Sequence, residues 1–415
     1  MPPAFHVIAK PSGPDCNLAC GYCFYQPKAR LFAPGAKFRM SGAVLEAYVR
    51  QHIEAQPLAH VVFTWQGGEP TLMGIDFFER ALELQRRYRR PGMTIENAFQ
   101  TNGVLLDDKW CAFVKANGFL VGLSLDGPAE LHDAYRVNRG GRPTFGAAYG
   151  ALKRLQRHGV EYNVLCVVNA RNVRHPGRVY RFLRGEGVRY IQFIPAVGRT
   201  PQGGVTEWTV PAGDWGTFLA RVFDQWVARD PGRVHVQHFD MAIGAQAGIE
   251  PHVCAHARRC GSALALEHNG DVYACDHYVE PGYRLGNLLE TPLGELADSA
   301  AQRRFGAQKF DSLPRKCREC AFIDACNGGC PKDRFIRSED GELGLNYLCK
   351  GYRYFYAHAA PACHALIQGL ATGRPLAAIR PARAEDRRAA QRAARNSACP
   401  CGSGRKFKHC CQKPR

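Results

Sequence analysis

Three cysteines within eight residues, Cys16, Cys20 and Cys23 in Cys-Asn-Leu-Ala-Cys-Gly-Tyr-Cys, constrain the N-terminal part of this chain more than any other feature. So tight a trio of thiols suits a metal centre. An electron-transfer 4Fe-4S cluster is closed by four Cys, whereas a three-Cys loop leaves one iron open to a substrate or cofactor. Zinc sites use similar Cys spacings of two to four residues, so the loop by itself also reads as half of a zinc site. What separates the two readings is the sequence around it.

The chain has 415 residues, enough for two or three domains with a large core. It holds 18 Cys. Disulfides are one use for so many, but the short clustered spacings, and an N-terminus without a charged leader and cleavage site, favour metal centres in a reducing compartment. No apolar run approaches the ~20 residues of a membrane span, so the expected location is cytoplasmic, with no membrane partner. Three Cys lie in the first loop, eight between Cys254 and Cys349, and four at the C-terminus. Cys111, Cys166 and Cys363 are left over, and the first two read as small core residues in apolar segments. The net charge is +18, and residues 380–415 alone carry eleven Lys or Arg against Glu385 and Asp386. Such a tail suits nucleic acid or an acidic partner. It lacks the aromatic interleaving that stacks on bases, and a solvated helical linker accounts for the charge as well.

Short apolar, β-rich runs alternate with amphipathic stretches as far as about residue 235. Strands are expected at 5–9, 60–65, 94–100, 119–125, 161–168 and 190–194, with helices near 41–54, 75–90, 107–117, 145–158 and 177–186. The alternation predicts a parallel α/β sheet, and six strands rather than eight make it an open, partial (β/α)6 barrel. Sites in such barrels form at the C-terminal ends of strands. The cysteine loop follows the first strand and Gly67-Gly68-Glu69-Pro70 the second; Gln100-Thr101-Asn102-Gly103 ends the third and Ser124-Leu125-Asp126-Gly127-Pro128 the fourth. Each alone reads equally as an ordinary turn, but four in succession converge on one face. A further helix is expected at 213–229, a Cys-rich section from His252, and an exposed helix at 383–395.

Ala9-Lys10-Pro11 before the loop, Tyr22 inside it, Phe24-Tyr25 after it, and Gly67 to Pro70 about forty residues on together resemble the radical S-adenosylmethionine superfamily. The resemblance implies a cluster that cleaves S-adenosylmethionine to a 5′-deoxyadenosyl radical, while the protein supplies orientation and exclusion of side reactions. Gly67 and Gly68 permit close backbone approach, and Glu69 offers a carboxylate to the amino group. Ser124 and Arg136 suit the methionyl carboxylate. Ser124 to Pro128, followed by His132-Asp133-Ala134-Tyr135-Arg136, is similar to the corresponding stretch of anaerobic sulfatase-maturating enzymes, and the likeness extends over about residues 5–365. Through it Gln66, Gln100, Ser124 and Arg136 inherit places around cofactor or substrate. Tyr22 and Tyr25 join them beside the cysteine loop, and Ile194 would flank the adenine, although core packing explains Tyr25 and Ile194 equally.

The run Cys254-x5-Cys260-x14-Cys275, then Cys317-x2-Cys320-x5-Cys326-x3-Cys330, then Cys349 supplies eight thiolates. By count these make two fully ligated 4Fe-4S clusters; zinc knuckles compete. The spacing resembles the twin-cluster SPASM extension of peptide-modifying radical enzymes. That likeness implies one cluster on Cys254, Cys260, Cys275 and Cys330 and another on Cys317, Cys320, Cys326 and Cys349. Cys275-Asp276-His277 stands where sulfatase maturases place Cys followed by their catalytic Asp, which makes Asp276 the expected general base. Cys399, Cys401, Cys410 and Cys411 resemble the SEC-C zinc motif, with His409 a competing ligand, and such a module suits docking to a partner.

The expected organisation is a radical barrel at 1–235, a SPASM domain at 236–365, a basic linker at 366–396 and the zinc motif at 397–415. The implied function is oxidation of a Cys or Ser in a sulfatase polypeptide to Cα-formylglycine, using S-adenosylmethionine, three 4Fe-4S clusters, zinc in the tail, and a reductant such as flavodoxin or ferredoxin. Two readings compete: the same radical chemistry on another ribosomal peptide, giving a crosslink or epimer, and a zinc-dependent nucleic-acid or ribosome adaptor. Metal analysis separates enzyme from adaptor. Roughly twelve irons per chain in an anaerobic preparation are expected from the ligand count, whereas zinc without iron, with binding that weakens steeply in salt, would support the adaptor.

Overall fold

The computed structural model describes residues 3–379, 396, 398 and 405–409. All six expected strands are present: β1 (His6–Lys10), β2 (His60–Trp65), β3 (Thr94–Thr101), β4 (Leu120–Ser124), β5 (Tyr162–Val168) and β6 (Tyr190–Pro195). The helices between them are Gly42–Ala55, Ile75–Tyr88, Asp108–Ala116, Phe145–Arg157 and Pro176–Gly185. Side-chain caps fix two of their starts. Ser41 accepts from the Val44 amide and Asp107 from that of Trp110, contacts worth ~1 kcal/mol each. Four strands lie further on: β7 (His235–Val236), β8 (Ala263–Glu267), β9 (Asp271–Tyr273) and β10 (Arg284–Asn287).

The chain forms two compact units. The first comprises residues up to Leu125, Ala129–Leu165 and Arg259–Gln308. In it β1 to β4 and the start of β5 run parallel in sequence order, each strand returning through a helix as right-handed βαβ connections require. β8 adds parallel to β1, from His6 opposite Ala263 to Lys10 opposite Glu267, and β9 and β10 extend that edge antiparallel. Residues 259–308 thus fold with the strands of the N-terminal block, although in sequence they fall within the Cys-rich stretch from 236. The physical reason lies in β1: Val7 and Ala9 are fully buried, and an unpaired edge there would leave a row of backbone donors and acceptors without partners.

The second unit comprises Asp126–Pro128, Cys166–Arg258 and residues from Lys309 onward. It contains the parallel pair β6 and β7 and the helix Ala212–Arg229, close to its expected span. The long helix Cys349–Ala371 lies against that helix at two glycines. A Cβ on Gly216 would overlap the Gly351 backbone, and one on Gly351 would overlap the Ala212 carbonyl, so the helices cross at backbone contact. This helix runs through Pro361 and across residue 365 without a break. The expected helix at 383–395 lies outside the described residues. Among those described, no helix is long and apolar enough to cross a membrane.

Candidate functional site

The cysteine loop begins six residues after β1 and is held on both sides. The Ala19 and Gly21 amides donate to the carbonyls of Val137 and Tyr135, at 2.8 and 2.9 Å, and the Cys23 amide closes a turn on the Cys20 carbonyl. N–H groups also face the sulfurs: Leu18 N to Cys16 Sγ at 3.4 Å, Gln26 N to Cys23 Sγ at 3.3 Å, and Asn102 Nδ2 to Cys16 Sγ at 3.7 Å. Donors of this kind stabilise thiolates that ligate iron, so the donor set fits a cluster. Burial pushes the Cys16 thiol up to about 12, with the Leu18 amide working against it and Glu69, Cys20 and Cys23 adding to it. Iron bound there would displace the Cys16 proton.

The Gly-Gly-Glu turn after β2 packs directly on the chain that leads into the cysteine loop. The Gln66, Gly68 and Glu69 amides donate to the carbonyls of Ala9, Gly13 and Asp15, at 2.8, 2.7 and 2.9 Å. Gly67 has φ +121°, where side chains are strained, and a Cβ on Gly68 would overlap the Asp15 carbonyl. The glycines thus admit the protein's own backbone. Glu69 is fully buried. Its Oε1 accepts from the Thr71 amide and hydroxyl and the Thr101 hydroxyl, and its Oε2 accepts from the Asn102 amide at 2.8 Å. Burial raises its pKa, and those donors oppose the rise. Asn102 also donates to Asn17 Oδ1 at 2.7 Å, so the ends of β2 and β3 and the cysteine loop form one network.

Gln100 and Ser124 meet across the neighbouring ends of β3 and β4, with Gln100 Nε2 donating to Ser124 Oγ at 3.0 Å. Arg136 is buried, and its guanidinium lies 5.4 Å from the centre of the Tyr22 ring. Ile194 is on β6, in the second unit, and is 38% exposed.

Lys10, which the sequence reading left without a role, gathers three expected site residues. It ends β1, is 1% exposed, and forms an ion pair with Asp276. Its ammonium also donates to Gln66 Oε1 at 3.1 Å and lies 4.5 Å from the centre of the Tyr25 ring. Burial would raise the Asp276 carboxyl, but Lys10, His277 and Lys28 outweigh it and hold the group below its ordinary range. Tyr25 donates to the buried carboxylate of Glu267. Burial first, and then Glu267, push the phenol far up, so it stays protonated. The available sequence signal for Lys10 was a lysine at the inner end of an apolar strand, since a buried ammonium is costly unless partnered.

In the second unit Cys317, Cys320, Cys326 and Cys349 line a small, mostly apolar cavity of about 20 Å³, together with Phe322, Ile323 and Tyr356. Burial and the neighbouring Cys349, Cys317 and Cys320 push the Cys326 thiol up to about 12. Four mutually close thiols around an apolar hollow fit a cluster's donor set. Cys254 and Cys330 also belong to this unit, whereas Cys260 and Cys275 belong to the first; Cys254 is exposed and the other three are half-buried. Cys399, Cys401, Cys410 and Cys411 lie outside the described residues.

Residues 11–183 match the family model of the radical SAM superfamily, residues 254–321 that of the SPASM iron-sulfur cluster-binding domain, and residues 395–413 the SEC-C motif. The parallel sheet, the cysteine loop after its first strand and the later cysteines define a radical S-adenosylmethionine protein with an iron-sulfur extension. The chain is 44% identical over 371 residues to the serine-type anaerobic sulfatase-maturating enzyme of Bacteroides thetaiotaomicron, covering 86% of this chain and 89% of that one. It is 34% identical over 364 residues to the cysteine-type enzyme of Clostridium perfringens, covering 87% and 97%. Within its class, then, the chain belongs to the anaerobic sulfatase-maturating enzymes. The solved structure of anSMEcpe with bound AdoMet and the Kp18Cys peptide matches with a TM-score of 0.80 and 33% identity, over 89% of this chain and 100% of that one.

The Gly68 contact makes a direct prediction. Gly68→Ala is expected to cost ~3 kcal/mol or more of stability in urea unfolding and to lose roughly four irons after reconstitution. Wild-type iron content and stability would show that the turn does not hold the loop.

Proposed function

We propose that this chain oxidises a Cys or Ser of a sulfatase polypeptide to Cα-formylglycine. The observation that carries the reading is the convergence of Asp276, Gln66 and Tyr25 on Lys10, at the end of the strand that leads into the cysteine loop. When bound, S-adenosylmethionine and the clusters would supply the one-electron chemistry, removing a hydrogen atom from the substrate Cβ and accepting the second electron. Cys16, Cys20 and Cys23 would hold the first cluster and Cys317, Cys320, Cys326 and Cys349 another. The set Cys254, Cys260, Cys275 and Cys330, and zinc on Cys399, Cys401, Cys410 and Cys411, rest on the family resemblance alone; a flavodoxin- or ferredoxin-like reductant, a docking partner for the tail and a cytoplasmic location complete the reading.

The residues divide the work as their geometry suggests. Glu69 Oε2 accepts the Asn102 amide and, as a carboxylate oxygen, has a second lone pair for the amino group of S-adenosylmethionine, beside the turn of Gly67 and Gly68. Ser124 already accepts from Gln100, which leaves its hydroxyl proton for the methionyl carboxylate, and Arg136, steadied over Tyr22, offers that carboxylate its fork. A place for Ile194 beside the adenine rests on the family resemblance alone. Asp276 is ionised at neutral pH and takes the substrate thiol or hydroxyl proton, which makes the second electron easier to remove. Lys10 holds that carboxylate in place, while Gln66 and the protonated Tyr25 hold Lys10.

The test is anaerobic coexpression with sulfatase peptides of the Cys-x-Pro-x-Arg kind and their Ser counterparts, read by mass spectrometry. A product of aldehyde mass is expected; an unmodified peptide despite cofactor cleavage would overturn the reading. Asp276→Asn should still cleave the cofactor but cut formylglycine yield by ~100-fold or more; an unchanged yield would remove Asp276 from the mechanism. The Asp276 carboxyl is held low by a cation, so its ionised form persists until the pH falls through that lowered value. Lys10→Met leaves burial dominant and raises it. The acid limb of peptide oxidation should then move to higher pH in Lys10→Met, with the limb for 5′-deoxyadenosine formation unmoved; coincident limbs in variant and wild type would refute the role.

A further inference from the structure

The helix that begins at Cys349 turns a cation toward the four thiols of the second unit. Arg353 stands one turn on in Cys349–Ala371, where residues four apart share a helix face. It lines the same cavity as Cys317, Cys320, Cys326 and Cys349, and all five residues belong to the second unit. The side chain is half-buried. Burial pushes the Cys349 thiol up to about 11, with Cys317 adding to the rise and Arg353 and Lys316 opposing it. Burial raises the Cys317 thiol as well, against Arg334, Lys316 and Arg353. Lys316 also lines the cavity, but Glu339 engages its ammonium at 2.7 Å and offsets its charge. Glu339 feels Arg353 too, though less than it feels Lys316. Arg353 is therefore the cation on this wall whose charge is less offset.

A guanidinium beside an apolar hollow costs desolvation unless negative charge meets it there. A cluster closed by four thiolates brings such charge and becomes more negative with each electron it takes up, and the charge around it sets its potential. Phe322, Ile323 and Tyr356 on the other walls keep the local dielectric low, where a neighbouring charge acts more strongly than in water. We propose that Arg353 is an electrostatic positioning residue that raises the reduction potential of the cluster ligated by Cys317, Cys320, Cys326 and Cys349. The proposal rests on the reading of those four thiols as cluster ligands given above. The centre then takes up an electron more readily, as one that receives an electron released in substrate oxidation must.

The test uses the full chain, reconstituted anaerobically, with iron counted and the clusters titrated with dithionite and mediators under electron paramagnetic resonance. The signal of this centre is the one that disappears, with roughly four irons, when Cys317→Ala and Cys349→Ala are combined. Should that double variant keep the iron and every signal of the wild type, the reading of the four ligands falls, before Arg353 is touched. Arg353→Gln and Arg353→Met are expected to keep full iron and to need a lower potential for this signal, with about tenfold less reduced cluster at a fixed poise, a shift of ~59 mV for one electron. Arg353→Lys, which keeps the charge, should titrate close to the wild type. An unshifted midpoint in the iron-replete Gln variant would overturn the proposal. So would a Lys variant shifted as far as Gln and Met, or loss of this cluster from all three variants, because Arg353 would then act by shape or packing and not by charge.

Discussion

Backbone contact between two loops underlies the whole site. Gln66, Gly68 and Glu69 donate their amides to the stretch Ala9 to Asp15, and that approach is open only because residue 68 has no side chain. The contact fixes the start of the cysteine loop against the end of β2. Glu69, drawn inward by the same turn, then collects Thr71, Thr101 and the Asn102 amide, and Asn102 in turn reaches Cys16 and Asn17. Three strand ends are thereby held to one geometry with few adjustable torsions, as a preorganised site requires.

The second constraint is a buried charge. Lys10 stands where β1 stops being core and becomes site, and its ion pair with Asp276 joins the first strand to residues that follow β9. The pairing of β8 with β1 makes that meeting possible, because it brings the chain after residue 263 alongside Lys10. A cation here lowers the affinity of Asp276 for protons. The carboxylate is therefore ionised under ordinary conditions, as the role proposed for it requires.

Much of the first unit was legible in the sequence, because period-2 apolar runs bounded by Gly and Asn are local signals; β1 to β6 and their helices fall within a few residues of expectation. Four of the strand-end motifs were also legible. The pairing of β8 to β1 was not, since a partner more than 250 residues away leaves no local trace. The role of the glycines was half legible: Gly67 and Gly68 announce a close approach, but only coordinates show that what approaches is the Asp15 carbonyl. Lys10 was missed because a lysine reads as surface until its burial is known. The cysteine groups were the opposite case: count and spacing mark them as metal ligands, while the choice of iron over zinc came with the family resemblance.

The central claim is that the Cys16, Cys20 and Cys23 loop holds a cluster with one iron open to S-adenosylmethionine. It is tested most directly by incubating the reconstituted chain with S-adenosylmethionine and dithionite without oxygen, and quantifying 5′-deoxyadenosine by mass spectrometry. The account predicts 5′-deoxyadenosine from the wild type and none from Cys20→Ala. Absence of the nucleoside from a fully iron-loaded wild type, or equal amounts from both proteins, would contradict it.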